Sequence, residues 1–131
     1  GENNLLGQVF ETNVRVGDNV VKFVDVFAQN SCSENTSLYP DGRFTSYDAL
    51  HDGLLYVRDY IVERLLQKRG RSINIWMPAK IGCVKGGGKF DIVTAIIKSV
   101  FDDDEYVKSN VVLKLFEKPS FEQPTVEIFD T

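Results

Sequence analysis

The sequence contains little of what several functional classes require. It has a single histidine, His51, and two cysteines, Cys32 and Cys83, which lie far apart. A metal site built from several histidines is therefore excluded, and the two cysteines do not have the spacing of a metal-binding pair. A disulfide framework is disfavoured as well, because small disulfide-stabilised domains contain many cysteines. The composition favours a reducing compartment.

Basic residues are not in excess, and long apolar runs are missing. The chain has 15 Lys and Arg against 19 Asp and Glu, and a net charge of −4. A broad nucleic-acid-binding face is not expected, because phosphate binding over many contacts needs an excess of Lys and Arg. No stretch approaches the roughly 20 apolar residues that cross a bilayer, and no signal peptide is visible. We therefore expect a cytoplasmic protein without membrane contact.

The rest of the composition is that of one globular domain. Apolar residues make up 43% of the 131 residues, and a chain of this length buries roughly two-thirds of its unfolded surface. The N-terminal half predicts two strands, 5–12 and 20–28, which form a hairpin. A polar loop over 29–44 follows. The segment 45–48 then resembles a helix start, with a hydroxyl cap and an acid three residues on. Apolar residues recur from there at spacings of three and four, at Tyr47, Leu50, Leu54, Val57, Ile61 and Leu65. This apolar stripe predicts a long helix over 46–69, with Gly70 as its C-cap. Gly53 within it is expected at a close contact.

The C-terminal half alternates strands and helices. Strands are predicted over 73–77 and 111–116, with a helix over 90–101 between them and a solvated acidic turn over 102–105. Residues 126–129 are expected to form part of a loose arm or an edge strand. This alternation predicts an α/β fold whose sheet is at least partly parallel.

A glycine-rich loop between strand 73–77 and helix 90–101 is the most informative segment. Three consecutive glycines allow backbone N–H groups to approach an anion, and the following helix start adds unpaired N–H groups. Two interpretations remain open from the residues alone, a phosphate or diphosphate site and a flexible connection with solvated lysines. The segment runs Pro78, Ala79, Lys80, Ile81, Gly82, Cys83, Val84, Lys85, Gly86, Gly87, Gly88, Lys89, Phe90.

Two familiar phosphate motifs do not fit this loop. A P-loop anchored on Gly88 and Lys89 would need a hydroxyl residue where Phe90 stands. The dinucleotide pattern G-x-G-x-x-G fails from Gly82, because Val84 occupies the second glycine position. It also fails from Gly86, where Asp91 occupies the third.

A third pattern fits better. The Ile-Gly-Cys of 81–83, the glycines of 86–88 and the aromatic Phe90 resemble the second ligand loop of macro domains, in the branch of small bacterial and phage proteins. Upstream, the strand that ends in Ala-Gln at 28–29 and the Tyr-Asp-Ala-Leu of 47–50 are similar to that branch. The resemblance covers residues 5–118 and is carried by these motifs together.

The resemblance implies a macro-like layered sandwich with a mixed central sheet. It implies one domain over 1–118, with 119–131 as a C-terminal tail or edge strand. The ligand would be an ADP-ribose-like small molecule or an ADP-ribosylated macromolecule, and some family members are hydrolases. No catalytic residue, metal or resident cofactor is assigned. The implied ligand-binding residues are Ile81, Gly82, Cys83, Lys85, Gly86, Gly87, Gly88, Lys89 and Phe90.

The sequence also departs from the family. Val84 stands where the second loop glycine is expected, and the N-terminal third of the family pattern, with its ribose loop, is not found. We therefore expect an N-terminally shortened domain, with roughly 40 residues more in a native chain of this family. The departures favour an alternative, a non-catalytic macro-fold protein that acts by protein contact, for example a phage protein that targets a host factor. A homodimer is compatible with either interpretation.

Overall fold

The computed structural model describes residues 6–28, 46–78, 89–116 and 125–129, and these residues form a mixed α/β fold. Both predicted hairpin strands, the long helix and the helix that follows the glycine loop are confirmed. The elements in chain order are β1 (Val9–Val16), β2 (Asn19–Val26), α1 (Tyr47–Tyr56), a π-helical segment (Val57–Val62), α2 (Glu63–Arg69), β3 (Ile73–Pro78), α3 (Phe90–Asp102), α4 (Glu105–Asn110), β4 (Val111–Phe116) and β5 (Thr125–Phe129).

The sheet is mixed, as predicted, and its strand order is β1-β2-β5-β3-β4. The parallel pair is β3 with β4, while β5 runs antiparallel to both β2 and β3. The expectation of a loose arm or edge strand at 126–129 is therefore wrong, because β5 lies in the middle of the sheet. The five-residue alternation shows a strand but carries no information about its neighbours, which lie far away in sequence.

The long helix continues from α1 through the π-helical segment into α2 and ends at Gly70. The Ser46 hydroxyl caps its start, and Gly70 adopts the left-handed conformation with φ 67°. The predicted apolar stripe ended on Ile61 and Leu65, but the buried residue of the last turns is Leu66. A π turn accommodates one extra residue, which moves the buried stripe along by one position. Periodicity counted at 3.6 residues per turn does not detect this shift.

One hydrophobic core lies between the helices and one face of the sheet. The buried sheet residues of this face include Val24, Val26, Ile75 and Ile128, all fully inaccessible to solvent. They pack against Leu50, Leu54, Val57, Ile61, Leu66, Val93, Ile97, Val100 and Phe101 of the helices. The described residues therefore form two layers, helices on a sheet.

The other sheet face, which we call the open face, is not packed against any described helix. It carries Phe10 and Val14 of β1, Phe23 of β2, Trp76 of β3 and Val112 of β4, as the strand registers require. Phe10, Val14 and Val112 are exposed, whereas Phe23 and Trp76 are half-buried. Of the open-face residues whose burial is described, Val21 is the buried one. A complete sandwich would cover this face with a second layer.

A charged cluster connects the long helix to the end of α3. The Arg58 guanidinium is mostly buried, lies 2.7 Å from Asp59 Oδ1 and donates to the Val100 carbonyl oxygen at 2.9 Å. A hydrogen bond with Asp59 raises the pKa of Arg58. The same cluster contains Glu63 and Asp104, and Asp104 also accepts from the Val107 amide at 3.1 Å, which starts α4. The acidic segment predicted as a solvated turn thus includes a helix N-cap.

The Glu63–Asp104 pair makes stability depend on pH. A hydrogen bond with Asp104 raises the pKa of Glu63, and the same bond lowers the pKa of Asp104. The Glu63 contribution is present at acidic pH and is lost as pH rises through the pKa of folded Glu63. The Asp104 contribution has the opposite sign, since it is lost as pH falls through its folded pKa.

Glu63→Gln should therefore raise the melting temperature by a few degrees at neutral pH. The increase should be smaller at an acidic pH near the usual pKa of a carboxyl group. The Gln amide donates to Asp104 at every pH, whereas Glu63 donates only when protonated. Thermal melts of the variant and the wild type, at neutral pH and at the acidic pH, measure the two shifts in melting temperature. Glu105→Gln, which removes the same charge from an exposed neighbour, is the control. An equal shift for Glu63→Gln at both pH values would contradict the shared proton.

Candidate functional site

The candidate site lies at the sheet edge where β2 and β3 end. These two strands run in the same direction, because each is antiparallel to β5. Their carboxyl ends, near Ala28 and Pro78, therefore meet at one edge of the sheet. The chain enters α1 and α3 from this same edge. In α/β proteins, ligands commonly bind outside the carboxyl ends of strands, next to helix N-termini.

The N-terminus of α1 is tied directly to the end of β2. The Ser46 amide donates to the Ala28 carbonyl oxygen at 2.6 Å. The Ser46 hydroxyl in turn accepts from the Ala49 amide at 3.1 Å, which satisfies one of the unpaired amides of the first turn. Ser46 is buried, so this capping arrangement is part of the packed structure. The hydroxyl helix start that the sequence predicts within 45–48 is confirmed, with Ser46 as the capping residue.

The N-terminus of α3 is tied to α1 by a tyrosine. The Tyr47 hydroxyl accepts from the Lys89 amide at 3.0 Å, across 42 positions of sequence. Lys89 has extended backbone angles (φ −82°, ψ 132°) and immediately precedes α3. The two helix N-termini are therefore held side by side. The sequence predicted Tyr47 as the first member of the apolar stripe and did not indicate a role for its hydroxyl.

The first turn of α3 retains backbone donors. Lys89 makes no side-chain capping hydrogen bond to α3, although its carbonyl oxygen accepts from the Val93 amide at 3.0 Å. The amides of Phe90, Asp91 and Ile92 have no carbonyl partner within the helix, as at any helix start. Such amides and the helix dipole together attract anions. Asp91 places a negative charge in the same turn.

Of the predicted ligand-binding residues, the structure describes two. Lys89 and Phe90 stand at the start of α3 and are exposed, Phe90 to 51%. The remaining seven lie outside the described residues: Ile81, Gly82, Cys83, Lys85, Gly86, Gly87 and Gly88. The loop that contains them leaves the sheet after Pro78 and returns at Lys89, beside the Tyr47 hydroxyl.

Other candidate residues lie away from this edge or pair locally. His51 Nδ1 lies 3.4 Å from Asp52 Oδ1 on the surface of α1, an exposed local contact. A shallow depression of about 500 Å³ lies against α3 and is lined by Asp91, Ile92, Ala95, Ile96 and Ser99. It is mostly apolar, with Asp91 and Ser99 as its polar lining residues.

Within the described ranges, no group of three or more His, Cys, Asp or Glu side chains is placed to hold a metal ion. The same part of the chain contains no helix with the length and apolar character to cross a membrane.

Comparisons with known proteins give no match: no protein-family model, no curated protein and no solved structure matches the chain.

Proposed function

We propose that this protein is a macro-like domain that binds ADP-ribose or a related nucleotide diphosphate through the loop 82–89. The observation that carries the proposal is the hydrogen bond from the Lys89 amide to the Tyr47 hydroxyl. This bond supports a site because it holds the returning end of the glycine-rich loop between two helix N-termini.

The chemistry of the edge suits a diphosphate. The first-turn amides of α3 are available to an anion at the helix start, and in the sequence the glycines at 86–88 would allow further amides to approach phosphate oxygens without Cβ obstruction. Lys80, Lys85 and Lys89 supply three positive charges in or beside the same loop. Exposed Phe90 offers an aromatic face, which stacks on a ribose or base. Ile81, Gly82 and Cys83 would line the distal part of the cleft.

Calorimetric titration with ADP-ribose tests the proposal. We expect saturable binding that Gly87→Glu abolishes, because the new carboxylate occupies and repels the diphosphate position. Gln67→Glu is the matched control, since it adds the same charge on the exposed surface of α2 and should leave the affinity unchanged. Absence of heat at millimolar ADP-ribose would contradict the proposal.

Asp91 gives a second, opposite variant for the same titration. Its carboxylate stabilises the start of α3 but repels a bound anion. Asp91→Asn should therefore tighten ADP-ribose binding several-fold, with the largest effect at low ionic strength. An unchanged or weaker affinity would indicate that the ligand does not lie at the first turn of α3.

The alternative function is protein contact by a macro-fold chain that binds no nucleotide. The open face favours it, because aromatic and β-branched side chains there are not covered by any described helix. In that case ADP-ribose should give no heat with the wild-type protein, while substitutions on the open face should disrupt a complex that the Gly87→Glu variant still forms.

A further inference from the structure

β1 is an edge strand of the described sheet. Among the described strands, β1 pairs only with β2 and ends the sheet. The Phe27 amide donates to the Gln8 carbonyl oxygen at 3.0 Å, so the even-numbered residues along β1 direct their backbone groups toward β2. By the alternation of an antiparallel ladder, Val9, Glu11, Asn13 and Arg15 direct theirs outward. An outward row of this kind is a template for pairing with another strand.

The side chains of β1 are complementary to a second copy of the same strand. In an antiparallel pair with its two-fold axis at Asn13, Glu11 lies opposite Arg15 of the second copy, and Arg15 lies opposite its Glu11. Both oppositely charged pairs form on one face of the sheet. Shifting the register by two residues in either direction removes both pairs, and shifting it by four places like charges opposite each other.

The other face of β1 is complementary in the same register. Phe10 lies opposite Val16 of the second copy, and Thr12 lies opposite its Val14. Phe10, Val14 and Val16 are 47%, 41% and 56% exposed, which is unusual for a row of large apolar side chains on one strand. Apolar and charged cross-strand pairs are the contacts that stabilise adjacent strands. A two-fold axis at Asn13 therefore fits three features of β1: its outward backbone groups, its charged residues and its apolar residues.

Lys22 of β2 binds two residues on the side of β1 that carries Glu11 and Arg15. Its Nζ lies 2.9 Å from Glu11 Oε2 and 3.0 Å from Asn13 Oδ1. In the dimer the Glu11 carboxylate would therefore be shared between Lys22 of its own chain and Arg15 of the second copy.

We propose that the protein forms a homodimer by antiparallel pairing of β1 with β1 of a second copy, centred on Asn13, which joins the described strands of both copies into one continuous sheet. Three residue pairs then exchange backbone hydrogen bonds across the axis, Glu11 with Arg15, Asn13 with Asn13, and Arg15 with Glu11. The dimer leaves the edge at Tyr47 and Lys89 untouched, so it is independent of the proposed nucleotide binding.

Sedimentation velocity over the micromolar to millimolar range tests the dimer. Wild-type protein should show a concentration-dependent monomer–dimer equilibrium. Arg15→Glu alone and Glu11→Arg alone should each weaken dimerisation by about tenfold or more, because both symmetric pairs become repulsive. Lys98→Glu, which makes the same charge change as Arg15→Glu on the exposed surface of α3, should leave the equilibrium unchanged.

Mixing the two variants tests the proposed pairing most directly. A heterodimer of Arg15→Glu with Glu11→Arg restores two oppositely charged pairs, so the mixture should dimerise where each variant alone does not. Should circular dichroism show that a charge variant is unfolded, Asn13→Pro replaces it, since proline removes the outward amide and leaves the β1–β2 ladder intact. A monomeric wild type, dimerisation unaffected by these variants, or a mixture that does not recover would each overturn the proposal.

Discussion

Ile128→Asp should leave the chain without a cooperative thermal transition. Ile128 belongs to the C-terminal strand β5, is fully buried and lies opposite Ile75 of β3 and Lys22 of β2. A carboxylate at this position would be buried among apolar side chains of the core. Lys22 opposite it is already bound to Glu11 and Asn13, and a buried charge without a partner of its own costs several kcal/mol. That cost approaches the whole stability of a domain, which is about 5–15 kcal/mol.

Smaller substitutions at Ile128 distinguish the cost of losing buried apolar volume from the cost of introducing a charge. Ile128→Val should lower the free energy of unfolding by about 0.5–1.5 kcal/mol and Ile128→Ala by about 2–5 kcal/mol. Val112→Asp, on the exposed side of the edge strand β4, is the control and should melt close to the wild type. Circular dichroism melts measure all four variants. An Ile128→Asp protein that melts like the wild type would show that β5 is not a central strand.

Gly53→Ala should destabilise the protein, although alanine is the better helix former. A Cβ atom at position 53 would overlap the Cγ1 atom of Val26 and would lie 3.7 Å from Val9 Cγ2. Overpacking of a core contact costs about 1–3 kcal/mol, whereas the gain in helix propensity is at most about 1 kcal/mol. We therefore expect a net loss of about 1–2 kcal/mol in urea denaturation.

A double-mutant cycle with Val26 identifies the cause. In the Val26→Ala background the clashing methyl group is gone, so Gly53→Ala should cost little or should stabilise through its helix propensity. Asp52→Ala, one residue away and exposed, controls for propensity alone. If Gly53→Ala stabilises the wild-type background, the close approach of α1 to β2 is wrong.

These two positions also mark what the sequence can and cannot predict. Gly53 was expected at a close contact, because glycine is unfavourable inside a helix unless something requires it, and Val26 is that neighbour. The central position of β5 was not predictable. A strand of five residues is recognisable from its alternation, but its neighbours Val24 and Ile75 are set by the packing of the whole sheet.

Two features of the helices are not predicted by the sequence, for related reasons. The six residues of α4 are too few for a periodic pattern, so the acidic run 102–105 predicts a solvated turn and gives no sign of a cap at Asp104. The π turn within Val57–Val62 moves the buried position of the last turns from Leu65 to Leu66. A search for regular amphipathic spacing cannot detect a shift of one residue. Such features depend on how the helix fits the core and not on local propensity.

At the candidate site, the sequence predicted the components better than their arrangement. The loop glycines, the hydroxyl helix start within 45–48 and the start of α3 at Phe90 are all recognisable as local signals. The hydrogen bond between Tyr47 and Lys89 joins residues 42 positions apart, so no local pattern indicates it. The ligand remains a proposal based on the motif and on this convergence of helix starts.

Amide chemical-shift mapping during an ADP-ribose titration tests the proposed binding site most directly. We expect saturable shifts concentrated at 46–48 and 89–92, the two helix starts joined by the Tyr47–Lys89 hydrogen bond, with α4 and β1 unchanged. Absence of shifts at millimolar ADP-ribose, or shifts concentrated on the open face around Trp76, would contradict a nucleotide site at this edge of the sheet.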